Sequence, residues 1–252
     1  MSIDHTFAAG PDGAFAAYAS SSEHWRQPAI DMHAARKTGN LPAGVDGDAI
    51  RGAVMDVNDW LPFAAEAYNT SPKLDDYVVV PVTIFMTDLP NTNACGFPFE
   101  EMSRWNARAG RISYKTWRGK PTHVEHANKR PDQAYGVIFD SVMRPVETVV
   151  GNLHRVVLLS GWDRTRDPKR AEQLMSTAAA FSMGAWVEEY ECSACGAHLR
   201  RGGCRHMHPK HGLLKQFDGD RLVYRVARGV TGFELSHVGV PAWRGAVATS
   251  IG

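Results

Sequence analysis

Strand-like apolar runs dominate the chain from Tyr77 onward. The segment Tyr77–Met86, YVVVPVTIFM, is β-branched and aromatic almost throughout and predicts the first strand of a core. Shorter runs at Ile112–Trp117, Ala134–Met143 and His154–Leu159, separated by Gly, Pro and Asn, predict further strands. Another begins at Ser182, and RLVYRVARGVTGFELSHVGVPAW reads as two more short ones. A helix is expected to start near Pro98, with Glu100 and Glu101 in its first turn, and to stop at Gly110. A second has Asp167 as its cap and Pro168 in its first turn. Its buried stripe is Ala171, Leu174, Met175, Ala178 and Ala179, at i, i+3, i+4, i+7 and i+8 spacing. Residues 1–74 are rich in Ala, Gly, Asp and Ser with weak periodicity, which predicts an N-terminal extension carrying one or two short helices around Gly47–Tyr68. The expected class is α+β: a mainly antiparallel sheet or β-barrel flanked by helices over residues 75–252, preceded by that extension.

Composition narrows the partners. A chain of 252 residues suits one main domain, and a formal net charge of +1 leaves no electrostatic footprint for nucleic acid or a membrane surface. No apolar run reaches membrane-spanning length. The start, MSIDHTFAAG, lacks the basic flank and apolar stretch of a secretory signal, so a cytoplasmic protein is expected.

Cysteine spacing changes the picture. Cys95 stands apart, whereas Cys192, Cys195 and Cys204 cluster with His206, His208 and His211 in a loop spanning 190–212. Thiolate and imidazole are the ligands of closed tetrahedral zinc sites, and a CxxC turn brings two sulfurs to one ion. Cys192, Cys195 and Cys204 with His206, or alternatively His208, would complete such a site. Three thiolates with no open position predict a structural zinc that supplies folding energy to an apolar-poor loop, with no cofactor for catalysis.

A serine nucleophile needs an adjacent base, and that base an orienting partner. Candidates for the base are His123 and His126 in HVEHANKRPDQAYGVIFD; Ser182 in AFSMGA is the candidate nucleophile. The ordered segments VEHANKRPDQAYGVIFD, AFSMGA and FELSHVGVPAWRGA together resemble the tailed-phage prohead maturation proteases, which share the herpesvirus assemblin fold. The resemblance covers roughly Tyr77 to Ala246. It implies an assemblin-like barrel and a serine endopeptidase that cleaves scaffold protein, major capsid protein and itself inside the immature head in the host cytoplasm. Carried over residue by residue, the base is His126, the nucleophile Ser182 and the orienting group Glu234, with His123 and His237 as alternatives for base and third member.

The Cys/His loop lies between nucleophile and third member, a departure from the family pattern. A backbone N–H near Arg244 and Gly245 is the candidate oxyanion donor. Residues 1–74 become a candidate pro-segment, and a homo-oligomer is a further expectation. Two other readings stand beside this one. The same fold can serve as an inactive head or scaffold component, and a zinc-stapled, metal-dependent nuclease would also use His, Asn and a CxxC pair. Against the nuclease, EHAN lies far before the cysteines and the net charge is near zero.

Overall fold

The computed structural model describes residues 15–21, 30–32, 47–91, 93–148, 151–176, 179–206 and 217–239. Nine strands form one sheet: β1 (Phe15–Ser21), β2 (Ile30–Asp31), β3 (Tyr77–Met86), β4 (Cys95–Gly96), β7 (Pro121–Val124), β8 (Gly136–Thr148), β9 (Gly151–Asp163), β10 (Ala180–Cys192) and β13 (Arg225–Val238). Two small ribbons, β5 (Trp105–Asn106) with β6 (Arg111–Ile112) and β11 (Phe217–Asp218) with β12 (Arg221–Leu222), stand off it. Helices α1 (Gly47–Tyr68), α2 (Phe99–Ser103) and α3 (Pro168–Ser176) complete the α+β arrangement.

The sheet order is β1-β10-β13-β7-β8-β9-β3-β2, with β4 beside one end of β13. Pairing is antiparallel except where β13 runs parallel to β7 and to β4. The expected closed barrel does not form. Closure requires the two edge strands to share a ladder, and no pairing joins β1 to β2 among the described residues. The two-residue β2 is also too short to carry one.

Every residue of β3 is buried because both of its faces are covered. Val78, Val80, Val82 and Ile84 enter the main core with Trp117, Trp162, Phe181 and Leu235. Tyr77 and Val79 face the other way, into a second core with Phe139 and with Val57 and Leu61 of α1. Continuous apolar runs of this kind belong to strands buried on two sides. Val57, Leu61 and Ala65 recur every fourth residue of α1 and are buried, which is how this helix covers the outer face of β3 and β8. Thus residues 15–21, 30–31 and 47–68 supply two edge strands and a covering helix to the same sheet.

Several local expectations are corrected. Helix α2 stops at Ser103 rather than at Gly110. The buried Asn106 side chain donates to the Val230 carbonyl and to Thr231 Oγ1 at 3.0 and 2.8 Å, which draws the chain into the β5–β6 ribbon. The strand expected at Ile112–Trp117 is mostly a 3-10 turn, Ser113–Lys115, that points Trp117 into the core. Asp167 does cap α3, accepting the Arg170 N–H at 3.0 Å, and Ala171 and Leu174 are buried. Met175, placed in the same stripe, is 46% exposed, and Ala178 lies outside the described residues. Finally, the last apolar segment holds the two-residue β12 and then one strand of 14 residues, β13, in place of two short ones. No described helix is long and apolar enough to cross a membrane.

Candidate active site and metal centre

Strand β13 carries the feature that builds the site. Its ladder with β10 pairs Gly184 with Glu234 and then Ala185 with Gly232, so Phe233 has no opposite residue. Strict alternation would put Glu234 on the same face as Gly232. The extra residue turns Phe233 and Glu234 to one side, the side that also carries Ser182, Gly184 and Trp186 of β10. Backbone groups freed by the bulge find side-chain partners: Trp117 Nε1 donates to the Gly184 carbonyl at 3.1 Å, and the Gly232 N–H donates to Thr116 Oγ1 at 2.8 Å.

Room for the turned side chains comes from Gly184. A Cβ at this position would lie 2.6 Å from the Phe233 ring and 2.8 Å from Glu234 Cγ. The Phe233 ring packs on Trp186 at 4.8 Å between centroids, while Glu234 is fully buried beside it.

A buried carboxylate must be paired. Glu234 Oε1 lies 2.8 Å from His126 Nδ1, and Oε2 accepts the Ser236 hydroxyl at 2.6 Å. Because a carboxylate only accepts, Nδ1 carries a proton, and in the neutral imidazole the lone pair lies on Nε2. His126 reaches this position from the turn after β7, where Glu125 and His126 both adopt left-handed backbone, φ 49° and 55°. Each such residue costs about 1–2 kcal/mol. Bonds to β13 hold the turn: the Glu125 N–H to the His237 carbonyl at 2.9 Å, and the His126 N–H to Ser236 Oγ at 3.2 Å.

Ser182, 3% exposed, is the cross-strand partner of Ser236, and Ser236 is in turn the parallel partner of His123. The three side chains form one row across β10, β13 and β7, on the face that holds Glu234. His123 is buried, and neither ring nitrogen has a hydrogen-bond partner among the described residues. Burial pushes its pKa down, partly opposed by the Glu234 charge. Strand alternation puts His237 on the opposite face, against Trp162 and Phe181, with its Nδ1 2.6 Å from Arg170. Of the residues expected from sequence, His126 and Glu234 therefore touch, Ser182 and His123 share their face, and His237 does not. Arg244 and Gly245 lie outside the described residues.

Sequence reasoning passed over Ser236. The signal was present in ELS: two positions along a strand return to the same face.

The second cluster lies where β10 ends. Cys192, Cys195, Cys204 and His206 place one donor atom each within 4.8 Å of one another, close enough to hold one metal ion. His206 Nδ1 is 3.6 Å from both Cys192 Sγ and Cys204 Sγ. Tetrahedral zinc, with bonds of about 2.3 Å to sulfur and 2.0–2.1 Å to nitrogen, separates these atoms by about 3.6 Å, so the donor set fits. Asp218 lies 2.9 Å from His206 Nε2, the outer carboxylate that fixes a ligating imidazole. Burial pushes the Cys192 thiol up to about 11, whereas the Ala197 backbone N–H, with help from His206 and Cys204, holds exposed Cys195 at about 7. His208, the other candidate ligand, lies outside the described residues. The first ligand, Cys192, is the last residue of the strand that bears Ser182.

Neither the scan of family models nor the search of curated proteins finds a match to this chain. Among solved structures, the chain is similar to the bacteriophage T4 capsid assembly protease at 11% identity, with a TM-score of 0.38 over 66% of this chain and 84% of that one.

Proposed function

We propose that this protein is a serine endopeptidase with Ser182 as nucleophile, His126 as general base and Glu234 as the group that orients the base. The observation that carries the reading is the 2.8 Å contact between His126 Nδ1 and a fully buried Glu234, on the face where Ser182 sits one strand away. A carboxylate on Nδ1 fixes the tautomer with its lone pair on Nε2 and stabilises the imidazolium that forms when Nε2 takes the serine proton. Ser182 Oγ then attacks the scissile carbonyl, the leaving amine takes the proton back from Nε2, and the acyl-enzyme is hydrolysed by water activated by the same imidazole.

The Cys192, Cys195, Cys204 and His206 cluster takes no part in these steps. Zinc held there would supply folding energy and fix the end of β10. The substrate class follows from the resemblance of the VEHAN, AFSMGA and FELSHVGVPA segments: scaffold and capsid protein, and the chain itself, within an assembling phage head.

The test is the intact mass of purified protein beside Ser182→Ala, incubated at rising concentration with and without scaffold protein. Discrete fragments that vanish in the variant are the expected result. Identical masses in both, with scaffold uncut, refute the protease and leave a structural head component of the same fold.

A further inference from the structure

We infer that Ser236 is a positioning residue for the His126–Glu234 pair, joining the main chain of the base to the carboxylate that orients it. The inference rests on the protease reading for its effect on rate, but not for its geometry. Ser236 is fully buried, and its hydroxyl has two partners. It donates to Glu234 Oε2 at 2.6 Å and accepts the His126 N–H at 3.2 Å. The Glu234 carboxylate closes the loop by meeting His126 Nδ1 at 2.8 Å. His126 is thus held twice, through its ring and through its amide, with Ser236 linking the two ties.

Both ties are needed. A carboxylate bonded through one oxygen alone can rotate about its last torsion, a broad and weakly restricted one, and carry the imidazole with it. The Ser236 hydroxyl restrains the second oxygen, and at 2.6 Å it is in the range of strong charge-assisted O–H···O bonds. Meanwhile the left-handed φ of 55° at His126 places its amide towards β13, where Ser236 Oγ receives it. Ser236 also stands directly opposite Ser182, so the residue that anchors the base is the neighbour of the nucleophile on the next strand. Displacement of a catalytic group by about 1 Å can cost on the order of 10²-fold in rate.

The experiment compares the full-length chain with Ser236→Ala and Ser236→Thr, with Ser182→Ala as the inactive control. Nitrogen-15 NMR of the His126 ring reads the tautomer independently of any cleavage. The wild type is expected to show one tautomer, Nδ1–H, and a His126 amide protected from exchange. In Ser236→Ala the ring signals move to the average of two tautomers and kcat falls on the order of 10²-fold. KM stays within about twofold, the pattern of lost positioning rather than lost binding. Ser236→Thr, which keeps the hydroxyl, restores the single tautomer.

A single Nδ1–H tautomer in a folded Ser236→Ala chain overturns the inference. Should Ser236→Ala not fold, an unprotected His126 amide in the wild type overturns it, and protection there together with a single tautomer in Ser236→Thr supports it. If the tautomer responds as expected but wild type and Ser182→Ala are equally uncut, the positioning role stands and the protease reading falls.

Discussion

Replacing Gly184 by alanine tests the bulge and the site together. The new Cβ would stand 2.6 Å from the Phe233 ring and 2.8 Å from Glu234 Cγ. Carbon atoms settle at about 3.5–4.0 Å, so each neighbour must withdraw by roughly 1 Å. The two are not equally able to do so. Phe233 is half-buried and can slide along Trp186, whereas Glu234 is fully buried and tied to His126 and Ser236. Overpacking of this kind costs about 1–3 kcal/mol. At about 2–4 °C per kcal/mol for a chain of this size, Tm falls by about 2–12 °C. Any movement of Glu234 carries His126 with it, so Ser182-dependent cleavage is expected to fall further than stability does, on the order of 10²-fold.

The control is Gly219→Ala, in the turn between β11 and β12, where φ is +63° and no atom lies within 4 Å of the added Cβ. It should lose only about 1–2 kcal/mol of stability, through added backbone strain, and keep its cleavage rate. Thermal unfolding and the rate of fragment formation are measured on both variants. A Gly184→Ala protein with wild-type Tm and wild-type cleavage would refute the account of how Glu234 is turned towards Ser182.

Three further outcomes are expected. Glu234→Gln keeps the shape of the carboxylate but removes its charge, and should slow Ser182-dependent cleavage by about 10²–10⁴-fold in a chain whose far-UV spectrum is unchanged; a rate within twofold of wild type removes Glu234 from the mechanism. Elemental analysis should find one zinc per chain, its removal by a chelator should lower Tm, and Asp218→Asn should weaken zinc affinity about 10–100-fold through the His206 imidazole; protein that purifies without metal and melts identically with chelator contradicts this. His123 has its pKa lowered by burial, so below its unfolded value of about 6.5 the unfolded chain binds the extra proton and the fold loses stability as pH falls, by at most about 1.4 kcal/mol per pH unit. Denaturant titrations of His123→Gln between pH 7 and pH 5 should show a shallower loss than wild type, and parallel curves would mean that His123 takes up its proton equally well in the folded and unfolded chain.

Apolar pattern made much of the core legible. Tyr77–Met86 stands where the sequence places it, because a strand covered on both faces leaves an unbroken apolar run, whereas the weakly patterned stretch Gly47–Tyr68 is one helix of 22 residues in place of one or two short ones. The Cys192, Cys195, Cys204 and His206 grouping was equally legible, since ligand chemistry dictates both residue types and short spacing. The bulge at Phe233 was not. An extra residue in a ladder leaves no compositional mark, and strict alternation counted from Gly232 would put Glu234 on the opposite face. The open sheet was hidden for a related reason: closure depends on the lengths of β1 and β2, which lie in the weakly patterned first part of the chain. Ser236 was overlooked because a serine two places from a glutamate looks like ordinary strand polarity until its two partners are known.

The parallel pairing of β7 with β13 has a consequence for synthesis. His126 follows the first of these strands and Glu234 lies on the second, so the pair that orients the imidazole joins segments made far apart in time. At roughly 5–20 residues per second, translation reaches Glu234 about 3–10 s after Ser182. During that interval a nascent chain carries the serine and the histidine but has neither the carboxylate nor the strand against which the His126 turn is fastened. Long-range pairing of this kind also forms late in folding. A nascent chain therefore cannot assemble the His126–Glu234 pair during that interval, and whatever chemistry the site performs waits for completion of the sheet.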